Sequence, residues 1–315
     1  MNISVLIPLL NESESLNELC DSISNVMSSY NFTFEVILID DGSTDKSWEV
    51  IQKLSNKSAK IKGIKFKKNY GKSQALHAGF LSCQGDVVFT MDADLQDDPK
   101  EIPIMYDMII NDRFDLVSGW KKKRYDSVLF KNIPSKIFNF AARITSGIKL
   151  NDFNCGLKAF KKEVVKSINV YGEMHRYVPI LAKNEGYKKI GEKIVKHRAR
   201  KFGKTKFGPS RFLNGFLDLL TIWFISSFGK KPMHLFGSLG LIMLVTGFLF
   251  AGFLGYDKLF LNPDSRLITE RPEFYISLTT MIIGSQFFSM GFIAELILKN
   301  NNQKPNYVIQ KKTNL

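Results

Sequence analysis

Apolar residues follow two rhythms along the front of the chain. Short unbroken runs, ISVLIP (3–8), FEVILID (34–40), IKGIKF (61–66) and DVVFTMD (86–92), predict strands buried on both faces, and LVSG (116–119) predicts a fifth. Between them the period changes. Leu16, Leu19, Cys20, Ile23, Val26 and Met27 recur at helical spacing. A second helix is expected through Leu54, capped by Ser43 or Thr44 of the Asp41-Gly42-Ser43-Thr44 turn. Further helices are expected over 73–83 and 100–111. Strands alternating with helices imply an α/β fold with a Rossmann-like, mostly parallel sheet. Ligands in such sheets bind beyond the carboxyl ends of the strands.

Behind residue 212 this rhythm is lost. Pro232–Tyr256 offers 25 positions without a charge, and 274–294 offers 21. About 20 helical residues cross the hydrocarbon core of a bilayer. Two buried helices of a soluble core are the alternative, and runs above about 18 residues favour the bilayer. FLNGFLDLLTIWFISSF (212–228) is shorter and carries Asp218, so it reads as an amphipathic helix lying in the interface. Ile133, Ile137, Phe140, Ala141, Ile144 and Ile148, with Lys131, Lys136 and Arg143 between them, fit either another interfacial helix or an ordinary core helix. The expected organisation is an α/β domain over 1–211, an interfacial helix over 212–231, two membrane helices over 232–298 with a loop at about 257–273, and a basic tail over 299–315.

Charge orients this arrangement. The 315 residues carry 44 Lys+Arg against 30 Asp+Glu, a net +14. Eight of the bases and no acid fall between Lys193 and Arg211, whereas the loop 257–273 holds three bases and four acids. Positive segments stay in the cytoplasm, so the front domain and the tail are expected there and the loop outside. Three separated cysteines, Cys20, Cys83 and Cys155, argue against a disulfide framework or structural zinc site.

Acids collect at the predicted strand exits: Glu12, then Asp40 and Asp41, then Asp92 and Asp94. Acids gathered in a covered rim need cations or partners. Asp92-Ala93-Asp94 suits a hard divalent ion, Mg²⁺ or Mn²⁺, held by carboxylates and substrate phosphates. Asp97 and Asp98, before Pro99, read instead as turn acids and helix caps. Two imitations fail. Gly71-Lys72-Ser73 lacks the first glycine of a P-loop, since Phe66 stands there, and Asp92 to Pro103 lacks the central Gly and final Glu of a calcium loop. No GxGxxG follows the first strand.

IPLLNE (7–12), ILIDDGSTD (37–45), NYGKSQALHAG (69–79) and MDADLQDDP (91–99), in this order, resemble family 2 glycosyltransferases of the GT-A fold, whose sheet is mixed but mostly parallel. NDFNCGLKAF (151–160), GEMHRYVPILA (172–182) and HRARKFGKTKFG (197–208), followed by two spans, are similar to the polyprenyl-phosphate glycosyltransferases within it. The resemblance covers residues 1–300. It implies that Pro8, Leu10 and Glu12 border the nucleotide base with Asp40 or Asp41, and that Asp92, Ala93, Asp94 and Gln96 organise metal and diphosphate. Leu10 replaces a frequent tyrosine. Lys121 and Lys131 stand where arginines are frequent, as further nucleotide-side cations that offer point charges rather than planar forks. Arg200 and Lys206 would clamp phosphates of donor and acceptor, lipid headgroups being their alternative partners. Arg176 would reach the acceptor phosphate. Asp152 is the candidate for orienting the acceptor, or else a helix cap.

The implied reaction is inverting transfer of a sugar from a nucleotide sugar, UDP favoured, to a polyprenyl phosphate such as undecaprenyl phosphate at the inner membrane. The acceptor phosphate has a second pKa of about 6 and needs little help from a base. The expected partners are donor, acceptor lipid and bilayer, with no nucleic acid. Gly237, Gly240, Gly247, Gly252 and Gly255 leave room for close helix packing and a homo-oligomer. A processive synthase would need a QxxRW-type motif and more spans, and no Arg-Trp pair occurs. A basic membrane adaptor would explain the charge but not the acids at the strand exits.

Overall fold

The computed structural model describes residues 1–122, 139–140, 142–144, 146–172, 174–198, 201, 224, 228, 231–300 and 309–314. Lys131, Arg200, Lys206 and nearly all of the interfacial segment 212–231 lie outside the described residues. The chain forms two compact units, residues 1–222 with 305–315, and residues 223–304.

The first unit is built on strands β1 (Ile3–Leu9), β2 (Phe34–Asp40), β3 (Ile61–Phe66), β4 (Val87–Thr90), β5 (Leu116–Trp120), β6 (Lys158–Lys161), β7 (Ile190–Ile194) and β8 (Ile309–Thr313). Their order in the sheet is β7-β5-β6-β4-β1-β2-β3-β8. The β4-β1-β2-β3 block and the β5/β7 pair are parallel. β6 runs antiparallel to β4 and β5, and β8 antiparallel to β3. Every position of β1 and β2 is buried, which is why their sequences are apolar without alternation.

Helices α1 (Leu16–Ser29), α2 (Ser47–Lys57), α3 (Lys72–Ser82) and α4 (Ile102–Ile110) fill the crossovers, and α5 (Lys162–Ser167) and α6 (Val178–Asn184) follow β6. α1 buries the six residues that its spacing singled out. α2 differs from expectation. It starts at Ser47, because Ser43 and Thr44 bond Asn11 across the rim instead of capping a helix. The expected helix over 100–111 opens with a 3-10 turn, Pro99–Glu101, capped by the Asp98 side chain. Residues 139–140, 142–144 and 146 are helical; Ala142 is buried against Phe153 and Tyr177, while Phe140 and Ile144 are exposed.

β1 is the turning point of the sheet. The chain winds from it through β2 to β3 on one side, then returns to place β4 on the other. A crevice at such a reversal opens beyond the carboxyl ends of the two strands. Leu10 and Glu12 leave β1 there, and Asp92 and Asp94 leave β4.

The second unit is a helix pair. α7 (Pro232–Tyr256) continues into a π-helical turn, Asp257–Leu261, and α8 (Pro272–Asn300) returns. Their apolar stretches span 30 and 26 residues with mean hydropathies of 2.0 and 1.4, enough to cross a membrane. Only 17% of each stretch is buried, the opposite of a soluble core helix. A Cβ on Gly240 would lie 2.6 Å from the Gly284 carbonyl oxygen, so glycine there lets the two backbones touch. Gly247 likewise faces Ser277 and Met281, whereas a Cβ on Gly252 or Gly255 would meet nothing within 4 Å among the described residues. The chain is a membrane protein.

Candidate active site

The loop after β1 is sewn to the loop after β2. Asp41 N donates to Leu9 O at 2.9 Å, Asn11 N to Ser43 Oγ at 2.8 Å, Glu12 N to Ser47 Oγ at 3.0 Å and Ser13 N to Asp45 Oδ2 at 3.2 Å. Asp40, fully buried, accepts from Ser43 N at 2.8 Å. Asp41 accepts from Tyr70 N at 2.7 Å and Gly71 N at 2.9 Å, which brings the loop after β3 to the same rim. Gly42, at φ 75°, allows the approach: a Cβ there would lie 2.4 Å from the Lys68 carbonyl carbon. Pro8 lies within β1 beneath this rim, and Leu10 and Glu12 are half-buried in it. Burial pushes the Asp41 carboxyl up to about 6 against the pull of the two amides, and the Asp40 charge adds to the rise.

Across the crevice, Asp92-Ala93-Asp94 leaves β4. Asp92 Oδ1 is ion-paired with Lys72 Nζ, from the first turn of α3. Asp94 and Ala93 are buried, and Asp94 Oδ1 accepts from Gln96 N at 3.2 Å. Leu95 between them sits at φ 62°, a left-handed conformation that turns the chain sharply. The Gln96 amide donates to Arg198 O at 3.3 Å, and Arg198 N returns a bond to Gln96 O at 3.0 Å. Burial opposes ionisation of Asp92, but Lys72, Lys121 and Lys158 outweigh it and hold the carboxyl far below its usual range.

Beneath Asp92 runs the turn that carries Asp152. Thr90 Oγ1 donates to Gly156 O at 2.8 Å and Gly119 N to Leu157 O at 2.9 Å, fastening the turn to β4 and β5. Asp152 is buried; its Oδ1 accepts from Asn154 N at 3.1 Å and its carbonyl from Ser118 Oγ at 3.2 Å. No helix starts there, so Asp152 shapes a turn rather than capping a helix. Lys158 is buried under the same turn and donates to Cys155 O. Burial lowers its pKa against the pull of Cys155, Asp152 and Asp92.

The segment Met174–Arg176 closes the side near α3. Ser73 Oγ accepts from His175 N at 3.0 Å and lies 3.2 Å from His175 Nδ1. Burial, then the charges of Lys72, Arg176 and Lys158, depress the His175 pKa well below its ordinary value, so this imidazole is neutral. Arg176 is half-buried beside it.

The nominated residues thus fall into groups. Pro8, Leu10, Glu12, Asp40 and Asp41 form one rim; Asp92, Ala93, Asp94 and Gln96 form the other; Asp152 lies on the turn beneath Asp92. Lys121 takes a different position from an open phosphate site. Its ammonium is 2.8 Å from Asp97 Oδ1, with the Asp97 side chain buried and that of Lys121 only 11% exposed. Asp98 caps Pro99–Glu101 as expected and pairs with Arg198 at 2.7 Å, whereas Asp97 caps nothing and holds Lys121 instead. The sequence pattern does not single out Lys72, because Gly71-Lys72-Ser73 stands out only as a failed P-loop. It also passes over Asn11 and Gly156, whose parts appear only once the loops meet.

The acidic pair at the exit of β4, opposite a sewn rim at the turning point of a mixed sheet, defines an α/β domain whose crevice suits a divalent cation and a phosphorylated ligand. Residues 4–168 match the family described as Glycosyl transferase family 2. The chain is 34% identical over 316 residues, 99% of its length and 93% of the relative's, to dodecaprenyl-phosphate galacturonate synthase of Rhizobium johnstonii. It is 32% identical over 317 residues, 98% of its length and 90% of the relative's, to undecaprenyl-phosphate 4-deoxy-4-formamido-L-arabinose transferase of Pseudomonas savastanoi pv. phaseolicola. Its fold is similar to glucosyl-3-phosphoglycerate synthase from Mycobacterium tuberculosis in complex with Mn²⁺, uridine-diphosphate-glucose and phosphoglyceric acid, with a TM-score of 0.56 at 19% identity over 70% of this chain and 79% of that one. The chain belongs to glycosyltransferase family 2.

Proposed function

We propose that the chain transfers a sugar from a nucleoside diphosphate sugar, with UDP the favoured carrier, to a polyprenyl phosphate of the undecaprenyl type at the cytoplasmic leaflet of the inner membrane. The observation that carries this reading is the pairing of an acidic strand-exit site with a helix pair built for a bilayer in one chain. Two relatives at 34% and 32% identity over nearly the whole length are named for polyprenyl-phosphate substrates, which supports it.

The donor set fits a divalent cation. Asp92 and Asp94 offer hard oxygen ligands one residue apart, and Lys72 Nζ already sits as a positive charge on Asp92. Among the described residues no cluster of three His, Cys, Asp or Glu side chains could hold a metal. Two carboxylates suit an ion whose coordination is completed by substrate phosphates and water. Asp92, Asp94 and Gln96 would hold it, and when bound it would neutralise charge on the departing diphosphate.

The protein's own groups supply the rest. The rim of Leu10, Glu12, Asp40 and Asp41 receives the nucleoside. Lys72 and Arg176 put positive charge on the side facing α3, which lets an anionic acceptor approach an anionic leaving group. The acceptor oxygen forms its bond to the anomeric carbon as the bond to the diphosphate oxygen breaks, with inversion. That oxygen is already ionised near neutral pH, so Asp152 orients rather than deprotonates.

Topology supports a cytoplasmic catalytic unit. β8, which follows α8, is hydrogen-bonded to β3, which precedes α7. The segments before and after the helix pair thus belong to one compact unit, and the basic stretch 193–211 supports a cytoplasmic place for it. The test is transfer of radiolabel from a panel of nucleotide sugars to undecaprenyl phosphate in membranes holding the protein. Lipid-extractable label that needs a divalent cation and vanishes in Asp94→Ala supports the reading; absence of label with every donor, or full turnover in Asp94→Ala, rejects it.

A further inference from the structure

We propose that Asn11 is the positioning residue that makes the two nucleotide-side loops act as one surface; this rests on the donor reading above. Asn11 leaves β1 at φ 53°, in the left-handed region where asparagine is tolerated better than most residues. That conformation points its amide toward the loop after β2. Oδ1 accepts from Thr44 N at 2.8 Å and Asp45 N at 3.3 Å, with Thr44 Oγ1 at 3.4 Å. Its backbone N–H donates to Ser43 Oγ at 2.8 Å. One residue thus satisfies or occupies polar groups on three consecutive positions of the neighbouring loop.

The bonds around it depend on this register. Glu12 N reaches Ser47 Oγ and Ser13 N reaches Asp45 Oδ2 only while residues 11–13 run alongside residues 43–47. Ser43, held by Asn11, donates its own N–H to Asp40, and Asp45 Oδ1 accepts from Ser47 N at 2.9 Å to start α2. Leu10 and Glu12 follow β1 and Asp40 ends β2, and the strand pairing with the Asp41 N to Leu9 O bond fixes their register only at the root of the loops. Asn11 carries that register outward, to residues 43–45. Its own side chain touches none of the reacting groups, so its action is through the loops.

Three variants of the full-length protein in nanodiscs separate the elements. Asn11→Gly keeps the left-handed backbone and removes the amide. Asn11→Asp keeps both the backbone and an acceptor oxygen. Asn11→Ala removes the amide and strains the backbone. The readouts are UDP binding by calorimetry, donor KM and kcat, and amide hydrogen exchange over residues 41–47. Asn11→Gly is expected to raise the UDP Kd and the donor KM roughly 10- to 100-fold, with kcat within about threefold, and to speed exchange at Thr44 and Asp45. Asn11→Asp should recover most of both, and Asn11→Ala should be no better than Asn11→Gly. Unchanged Kd and KM in Asn11→Gly, or a loss confined to kcat and the fraction of folded protein, overturns the proposal. Failure of the donor reading shows separately, as wild-type protein that binds and turns over no nucleotide sugar.

Discussion

Gly156 lies directly beneath the Asp92 carboxylate: a Cβ built on it would stand 2.3 Å from Asp92 Oδ2 and 2.5 Å from Cγ. Both neighbours of that contact are fixed, since Thr90 holds the Gly156 carbonyl and Lys72 holds the other carboxylate oxygen. A methyl group has nowhere to go except into Asp92. With Asp92 in the metal-holding role proposed above, Gly156→Ala should displace the carboxylate and lower turnover about 100-fold, a loss that a shift of about 1 Å can cause. Mn²⁺ affinity, read by electron paramagnetic resonance in the presence of UDP, should weaken with it while the melting temperature stays near wild type. Wild-type Mn²⁺ binding in this variant would show that the turn yields instead.

Lys121 and Asp97 make a second prediction, because Asp97 is buried, Lys121 is largely covered and each is the other's counter-charge. Burial opposes the charged ammonium, yet Asp97 raises its pKa well above the ordinary value. Lys121→Met leaves the Asp97 charge stranded and should cost about 3–5 kcal/mol. Lys121→Met combined with Asp97→Leu removes both charges and should recover most of that loss. Melting of the three proteins in one detergent decides the point, and a double variant no more stable than the single one would refute the pairing argument.

The buried strands were legible because their apolar runs have no competing pattern: ISVLIP and FEVILID became β1 and β2 within a residue at each end. β6 and β8 were not. KAFK carries lysine at both ends and IQKKT is mostly polar, so neither shows the period of a half-buried strand; tertiary pairing alone makes them strands. The acids at the strand exits were visible for the same reason as the strands, since their positions follow from where the apolar runs stop. Lys72, Asn11 and Gly156 act across loops far apart in sequence, where periodicity carries no information. Lys121 illustrates the converse: a cation after a strand looks available in sequence, and only the fold shows Asp97 beside it.

Asp152 yields a third prediction. Its Oδ1 accepts from Asn154 N, and an asparagine oxygen can accept that bond equally well. Asp152→Asn should fold and should lose only about tenfold in kcat, with the pH–rate profile unmoved, if the acceptor phosphate arrives ionised. A loss of several orders of magnitude, or a shifted acid limb, would assign it a proton-transfer role.

Asp41 couples the rim to pH. Its carboxyl titrates at about 6 in the folded protein against 3.8 when unperturbed, mainly because burial disfavours the charge. A folded pKa above the unfolded one means that the folded state binds the extra proton between those two values. Asp41 therefore favours folding most below 3.8, and its contribution declines as pH rises to about 6. Function runs the other way. The ionised carboxylate accepts from both Tyr70 N and Gly71 N, and protonation takes one oxygen out of that arrangement. Donor KM should therefore rise as pH falls through about 6, while the melting temperature of wild type gains on that of Asp41→Asn over the same interval. Asp41→Asn, which does not titrate, should show neither trend. Parallel pH series of KM and melting on the two proteins test this, and a donor KM that stays flat through that range in wild type would show that the loop after β3 does not depend on the Asp41 charge.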